Sequence, residues 1–197
     1  MSCLIIIIKS NKHKQLESKK CKKLLESKKA KNIILMGGAG FEPGNITPAA
    51  EFNIFVDPFA AKSIFESEIE IFMFGLDVTH QMIITPKRLS LIKKSSNSIG
   101  PTTADLLTFF NSYDTKKYGW DGAPLHDPCT IAWLIKPEIF QMKKMSVEIE
   151  TNNGPAFGRT IADWFNVTDK NKNVNVAISG KSDQFFDLIA ERISRFS

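Results

Sequence analysis

Two short, largely apolar runs, each ended by glycine, constrain the fold of this chain more than any other feature. Asn32–Met36 is followed by Gly37 and Gly38, and the run over residues 69–74 is followed by Gly75. Continuous apolar runs of this length are typical of strands that are covered on both faces, as in a parallel sheet. Helical patterns separate these strands. The sequence therefore predicts the α/β class, with a mostly parallel open sheet and flanking helices.

The helices are predicted from apolar residues that recur at helical spacing behind a capping residue. Asp57 and Asp127 each precede a proline, and proline fits the first position of a helix. Helices are expected over residues 59–67, 86–94, 102–112, 129–135 and 183–196. Further strands are expected over residues 147–150, 160–165 and 174–178, and a polar, aromatic loop over residues 113–124.

The positive charge is concentrated in a leader, residues 1–31. This segment holds ten lysines and two acidic residues, which leaves 16 basic and 19 acidic residues in the rest of the chain. No aromatic side chain lies between the lysines to stack on bases, so nucleic acid is not expected as a partner. A solvated, partly helical extension is favoured over a polybasic contact with RNA or an acidic surface.

The composition also bears on the compartment. No apolar run approaches the length of a membrane helix, and the run over residues 4–8 is shorter than a signal-peptide core. The three cysteines are widely spaced and form neither a metal motif nor a disulfide framework. We therefore expect a cytoplasmic protein with no membrane partner.

A glycine-rich loop follows the first apolar run. It fails as a dinucleotide-binding loop because Pro43 stands where the third glycine belongs. Its second part brings together Asn45, Glu51 and Asn53, and in an extended segment the last two point the same way. Two amides and a carboxylate suit sugar hydroxyls, but they suit the backbone groups of a loop equally well. Both interpretations stay open on spacing alone.

The pair His126 and Asp127 precedes Pro128. By itself, Asp127 is favoured as a helix N-cap. The functional alternative is a histidine that titrates near neutral pH beside a carboxylate that holds a hard cation. His80, after a predicted strand, is interpreted as a structural hydrogen-bond partner.

These motifs, taken in order, resemble the inosine/uridine-preferring nucleoside hydrolases. The similarity runs from about residue 32 to the C-terminus, so residues 32–197 are interpreted as the C-terminal part of such a domain behind an unrelated leader. The matching segments are residues 36–39, 44–53, 57–58, 75–80 and 122–129.

The resemblance implies a hydrolase of the glycosidase type that cleaves the N-glycosidic bond of a ribonucleoside, as in purine and pyrimidine salvage. It implies calcium as the cofactor, with Asp127 as one metal ligand, and His126 as the catalytic residue beside the leaving base. It assigns substrate binding to ribose contacts and to the apolar walls of the pocket: Asn45, Glu51, Asn53, Met36 and Phe52. The segment over residues 113–121, with Tyr118 and Trp120, falls where the family has a mobile segment over the base.

One departure from the family pattern is large. The family begins with an aspartate cluster that supplies most calcium ligands and the water-activating base, and this chain has no aspartate before Asp57. The N-terminal half of the family domain is therefore expected to be missing, which makes the chain inactive alone. Alternatives are a non-catalytic remnant, a binding or scaffold module, or one piece of a split enzyme whose other piece is a partner. The resemblance also implies a homo-oligomer as an alternative, and the family includes enzymes for purine and for pyrimidine bases.

Overall fold

The computed structural model describes residues 3–7, 30–95 and 97–196. Most of the predicted leader lies outside these described residues. The chain divides into two compact units. The sheet unit comprises Met1–Val78 and Gln141–Ile178, and the helical unit comprises Thr79–Phe140 and Ser179–Ser197.

The predicted mixed α/β architecture is confirmed. The described residues contain six strands: β1 (Cys3–Ile7), β2 (Asn32–Met36), β3 (Glu70–Phe74), β4 (Phe140–Ile149), β5 (Thr160–Asp163) and β6 (Val174–Gly180). They form one sheet in the order β1-β2-β3-β6-β4-β5, in which β1, β2, β3 and β6 pair in parallel and β4 pairs antiparallel with β5. Because β2 lies between two parallel neighbours, its residues 33–36 are buried, as the apolar run predicted.

Seven α-helices are found among the described residues. They are α1 (Phe52–Val56), α2 (Pro58–Phe65), α3 (Leu76–Thr79), α4 (Pro86–Lys93), α5 (Ile99–Tyr118), α6 (Pro128–Ile135) and α7 (Ser182–Ser194), and a 3-10 helix covers Pro137–Ile139. The predicted cap of α2 is confirmed, because the carboxylate of Asp57 accepts a hydrogen bond from the Ala60 amide at 3.0 Å.

Several sequence predictions are wrong in their boundaries: the strand predicted over residues 147–150 begins at Phe140. Two other elements end at residues other than those predicted. The loop predicted over residues 113–124 is helical up to Tyr118, and α5 ends only where Gly119 adopts a φ of 69°. The strand predicted over residues 160–165 ends at Asp163, whose carboxylate accepts hydrogen bonds from the Val167 and Thr168 amides at 2.9 Å. Both changes come from termini that the apolar pattern does not mark.

The carboxyl ends of β2 and β3 lie side by side. Met36 pairs with Phe74, and the next residue, Gly37, donates a hydrogen bond from its amide to the Phe74 carbonyl at 3.1 Å. The Leu76 amide then donates to the Gly38 carbonyl at 2.8 Å. The parallel register therefore joins the loop after β2 to the start of α3 at the carboxyl ends of these two strands.

The helical unit has its own core. Its buried apolar residues come from α4, α5, α6, α7 and the segments next to them, and they include Met82, Ile92, Phe185 and Phe186. Of the helices in the described parts of the chain, none combines the length and hydropathy needed to cross a membrane.

Candidate functional site

The loop over residues 37–50, which we call the site loop, is held by an aspartate of α3. Both carboxylate oxygens of Asp77 accept backbone hydrogen bonds: Gly40 donates at 2.8 Å, Phe41 at 2.7 Å and Glu42 at 2.9 Å. Three consecutive amides therefore converge on one carboxylate. Asp77 was not predicted as a site residue from the sequence, because its hydrogen-bond partners lie 35 to 37 positions earlier in the chain.

Glu51 ends the site loop and is almost completely buried, with 2% of its surface exposed. Its Oε2 accepts hydrogen bonds from the Gly38 amide at 2.9 Å and the Ile54 amide at 3.2 Å. Its Oε1 accepts from the Asn53 amide at 2.9 Å. The side chain thus caps α1 and also ties the start of that helix to the end of β2.

The two asparagines also bond to this backbone. The side-chain amide of Asn53 donates to the Met36 carbonyl at 3.3 Å, and Asn45 Oδ1 accepts from the Phe52 amide at 2.8 Å. Asn53 lies within α1, so the expectation that it and Glu51 share an extended segment is wrong. Both side chains nevertheless bond at the end of β2: Glu51 accepts from the Gly38 amide, and Asn53 donates to the Met36 carbonyl.

Two more side chains fix the site loop without having been predicted. Thr160 Oγ1 accepts from the Ala39 amide at 2.8 Å and donates to the Ala39 carbonyl at 2.9 Å. The guanidinium of Arg159 donates to the carbonyls of Gly40 and Ala49, both at 3.3 Å. The loop is therefore anchored from β5 as well as from α1 and α3.

The two residues predicted as apolar walls differ in exposure. Met36 is buried and packs in a small cluster with Ala39 and Leu76. Phe52, the first residue of α1, has 40% of its surface exposed. Of these two residues, only Phe52 presents an apolar face to solvent, and the site loop adds the exposed side chains of Phe41 and Ile46.

In the helical unit, His126 is held by Thr79. Its Nδ1 lies 2.8 Å from Thr79 Oγ1, and Thr79 is fully buried. Burial, and secondly the neighbouring His80, lower the pKa of His126 to about 4. This lowered pKa argues against the alternative of a histidine that titrates near neutral pH: at pH 7 the ring is a neutral imidazole with one donor and one acceptor nitrogen.

Three aromatic rings form a row of contacts that ends at the imidazole of His126. The rings of His80 and His126 lie 5.9 Å apart, and Trp120 contacts His80 edge-on at 4.9 Å. Tyr118, at the end of α5, stacks on Trp120 at 4.7 Å. Trp120 therefore lies between His80 and Tyr118, and Tyr118 lies in a helix rather than in the predicted loop.

Asp127 occupies the N-cap position of α6, but its side chain makes no capping hydrogen bond. The cap interpretation of this residue is therefore wrong in its chemistry. Burial, and secondly the negative charge of Asp127, raise the pKa of the neighbouring Cys129 thiol. Its carboxylate influences the start of α6 through charge rather than through a cap bond.

Calcium needs roughly six to eight oxygen ligands. In the described part of the chain, no group of three or more histidine, cysteine, aspartate or glutamate side chains could hold a metal ion. Asp127 therefore does not lie in a carboxylate cluster. The described residues do not by themselves fit a calcium site.

Comparisons with known proteins agree on one family. Residues 21–187 match the family model described as inosine-uridine preferring nucleoside hydrolase, and this match begins before residue 32, the predicted start of the similarity. The chain is 47% identical to the pyrimidine-specific ribonucleoside hydrolase RihA of Photobacterium profundum, over 84% of the chain and 53% of that protein. It is 43% identical to the uncharacterized protein C1683.06c of Schizosaccharomyces pombe, over 85% of the chain and 54% of that protein.

A solved structure matches as well. The purine-preferring ribonucleoside hydrolase from Gardnerella vaginalis superposes with a TM-score of 0.77 at 32% sequence identity. That match covers 90% of this chain and 56% of the other. The chain thus spans about half the length of the curated relatives it matches.

Proposed function

Because the chain belongs to the inosine-uridine preferring nucleoside hydrolase family, we propose that it carries ribose- and base-contacting residues of a ribonucleoside hydrolase. In this reaction the bond between C1′ of ribose and a base nitrogen breaks. The oxygen of a water molecule bonds to C1′, and a proton goes to the departing base. The products are ribose and the free base.

The observation that carries the proposal is the anchored site loop. Asn45, Glu51 and Asn53, which the family resemblance assigns to ribose, all bond to backbone within the site loop and α1 or at the end of β2. Side chains held in this way have few rotamers to lose when a ligand binds. A loop at the carboxyl end of parallel strands is also where α/β proteins bind ligands.

His126 would act on the base as a neutral group. With the Thr79 hydroxyl at Nδ1, the ring can carry its proton on Nε2 and donate a hydrogen bond to a nitrogen or oxygen of the departing base. Such a bond stabilises charge that develops on the base as the glycosidic bond lengthens. Neighbouring Tyr118 and Trp120 supply aromatic faces suited to a flat base.

The first substrates to test are pyrimidine ribonucleosides. The bacterial relative named as pyrimidine-specific is 47% identical, whereas the superposed purine-preferring enzyme is 32% identical. Uridine and cytidine should therefore be compared with inosine under the same conditions.

We further propose that calcium binds only when ligands from outside the described residues join Asp127. This chain has no aspartate before Asp57, and its described residues form no acidic metal cluster. The fragment of a relative that the chain does not match is the natural source of such ligands. A separate chain of that kind would be the partner of a split enzyme, as an alternative to a homo-oligomer.

Base release measured with excess calcium tests these proposals. We expect none from the purified chain alone and release when it is co-expressed with the unmatched fragment of the Photobacterium relative. Asp127→Ala should abolish that release, whereas Asp105→Ala, an exposed aspartate of α5, should not. Release by the chain alone would overturn the split-enzyme proposal. Nucleoside binding without release in the co-expressed pair would favour a binding module instead.

A further inference from the structure

The short helix α3 carries two polar side chains, and each of them fixes a different candidate residue or segment. Asp77 accepts the three amides of residues 40–42, and the Thr79 hydroxyl meets Nδ1 of His126. We propose that Asp77 and Thr79 are positioning residues for nucleoside cleavage. Asp77 sets the course of the site loop, and Thr79 sets the tautomer and ring orientation of His126. This inference rests on the proposed function.

The carboxylate of Asp77 is packed closely against glycine backbone, and at Gly75 no larger residue fits. A Cβ atom on Gly40 would lie 3.4 Å from Asp77 Oδ2, and one on Gly75 would lie 3.2 Å from the same oxygen. The Gly75 Cβ would also lie 2.7 Å from the Gly38 carbonyl oxygen. The close approach of the site loop to the start of α3 therefore depends on Gly75, whereas a Cβ on Gly40 would make only ordinary contact with Asp77.

Loss of one Asp77 acceptor oxygen should loosen a defined part of the site loop. Hydrogen bonds from amides to an ionised carboxylate are shorter and stronger than those between neutral groups, and here three successive amides share one acceptor. Asparagine at position 77 keeps the size of the side chain but replaces one acceptor oxygen by a donor. At least one of the three amides then loses its acceptor, and the first part of the loop loosens ahead of Asn45.

Thr79 contacts one of the two ring nitrogens of His126, Nδ1, at 2.8 Å. A neutral imidazole has one protonated and one bare nitrogen, and a partner on one side decides which is which. A Thr79 hydroxyl that donates to Nδ1 places the proton on Nε2, where it can reach a leaving base. Valine at position 79 keeps the shape of the side chain and removes the hydroxyl, so both tautomers and a flipped ring become accessible.

The proposed role of Asp77 is tested by amide hydrogen exchange on the chain itself. Asp77→Asn should speed exchange at the amides of residues 40–42 about tenfold or more, with the β2 amides unchanged. The matched control is Asp163→Asn, since Asp163 also accepts two consecutive amides, those of Val167 and Thr168. That control should speed exchange at its own partners and leave residues 40–42 protected. Unchanged exchange at residues 40–42 in Asp77→Asn would overturn the assignment.

The proposed role of Thr79 is tested by the nitrogen chemical shifts of His126. The native chain should show a single tautomer protonated on Nε2, and Thr79→Val should show a mixture. Thr108→Val is the matched control, because the Thr108 hydroxyl donates to the Ala104 carbonyl within α5. A native ring protonated on Nδ1, or identical shifts in Thr79→Val, would contradict the proposal.

The catalytic consequence is read from kinetics in the co-expressed pair. Asp77→Asn should raise KM about tenfold by loosening the ribose-contacting loop, and Thr79→Val should lower kcat about tenfold with KM retained. If the native pair releases no base, the proposed function fails, while exchange and chemical shifts still decide what Asp77 and Thr79 position. If both variants change those signals but not the kinetics, the positioning role in catalysis is wrong.

Discussion

The sheet unit and the helical unit hold their candidate residues by different physical means. In the sheet unit, carboxylates and amides bond directly to backbone, as Glu51 does to Gly38 and Asp77 to Phe41. In the helical unit, His126 is held by a single hydroxyl and by neighbouring rings such as His80. The first arrangement fixes the course of the chain, and the second fixes the orientation of one ring.

This difference predicts how each unit responds to substitution. A lost carboxylate leaves several backbone amides without an acceptor, and burial makes each of them costly. A lost aromatic ring removes apolar contact, which the remaining side chains can partly replace. The sheet unit should therefore be the more sensitive of the two, and the following changes test this, from the largest expected effect to the smallest.

Glu51→Ala should have the largest effect. It removes the acceptor of three amides and the cap of α1, so the free energy of unfolding should fall by about 3 kcal/mol. Urea unfolding measures this. Glu148→Ala is the control, because the exposed ion pair of Glu148 with Lys170 should contribute less than about 1 kcal/mol. Equal losses in the two variants would contradict the importance of the anchored loop.

Gly44→Ala should come next. A Cβ at this position would collide with the backbone of Thr47 and Ala50, so the site loop must shift, at a cost of about 2 kcal/mol. Gly154→Ala serves as the control, since a Cβ there meets no atom within 4 Å. Thermal unfolding of both variants checks the prediction, and an unchanged midpoint for Gly44→Ala would mean that the loop is not closely packed.

Trp120→Leu tests the helical unit. Loss of the Tyr118 and His80 ring contacts should cost about 1 kcal/mol and should alter the nitrogen shifts of His126. Phe109→Leu is the control, because 82% of Phe109 is exposed and its loss should change neither quantity. A cost for Trp120→Leu as large as that of Glu51→Ala would remove the contrast between the two units.

The smallest effect should be local and dependent on pH. Side-chain and backbone hydrogen bonds from Thr168 lower the pKa of Asp163 to about 2. Because the folded pKa is lowered, the turn is fully stabilised above the unfolded pKa of about 4 and loses that contribution as the pH falls through about 2. Exchange at the Val167 and Thr168 amides, corrected for intrinsic rates, should lose protection over this range. Asp163→Asn should remove the pH dependence.

The two units also differ in how well the sequence predicted their elements. In the sheet unit the strand β2 and the loop after it follow from local composition, because a strand covered on both faces must be apolar along its whole length. In the helical unit, α5 runs six residues beyond its predicted end at residue 112. Its exposed Leu106 and Phe109 blur the apolar pattern from which helix limits are read.

The sequence by itself determined the fold class and the family motifs, and through the family resemblance it proposed residues for ribose, base and metal. Only the tertiary structure decided what holds them. Thr160 and Ala39 are 121 residues apart in the chain, and Thr79 and His126 are 47 apart, so no local pattern links them. The low pKa of His126 and the missing cap bond of Asp127 are likewise set by surroundings. Local periodicity follows from which face of an element is buried, whereas hydrogen bonds between distant residues exist only once the chain has folded.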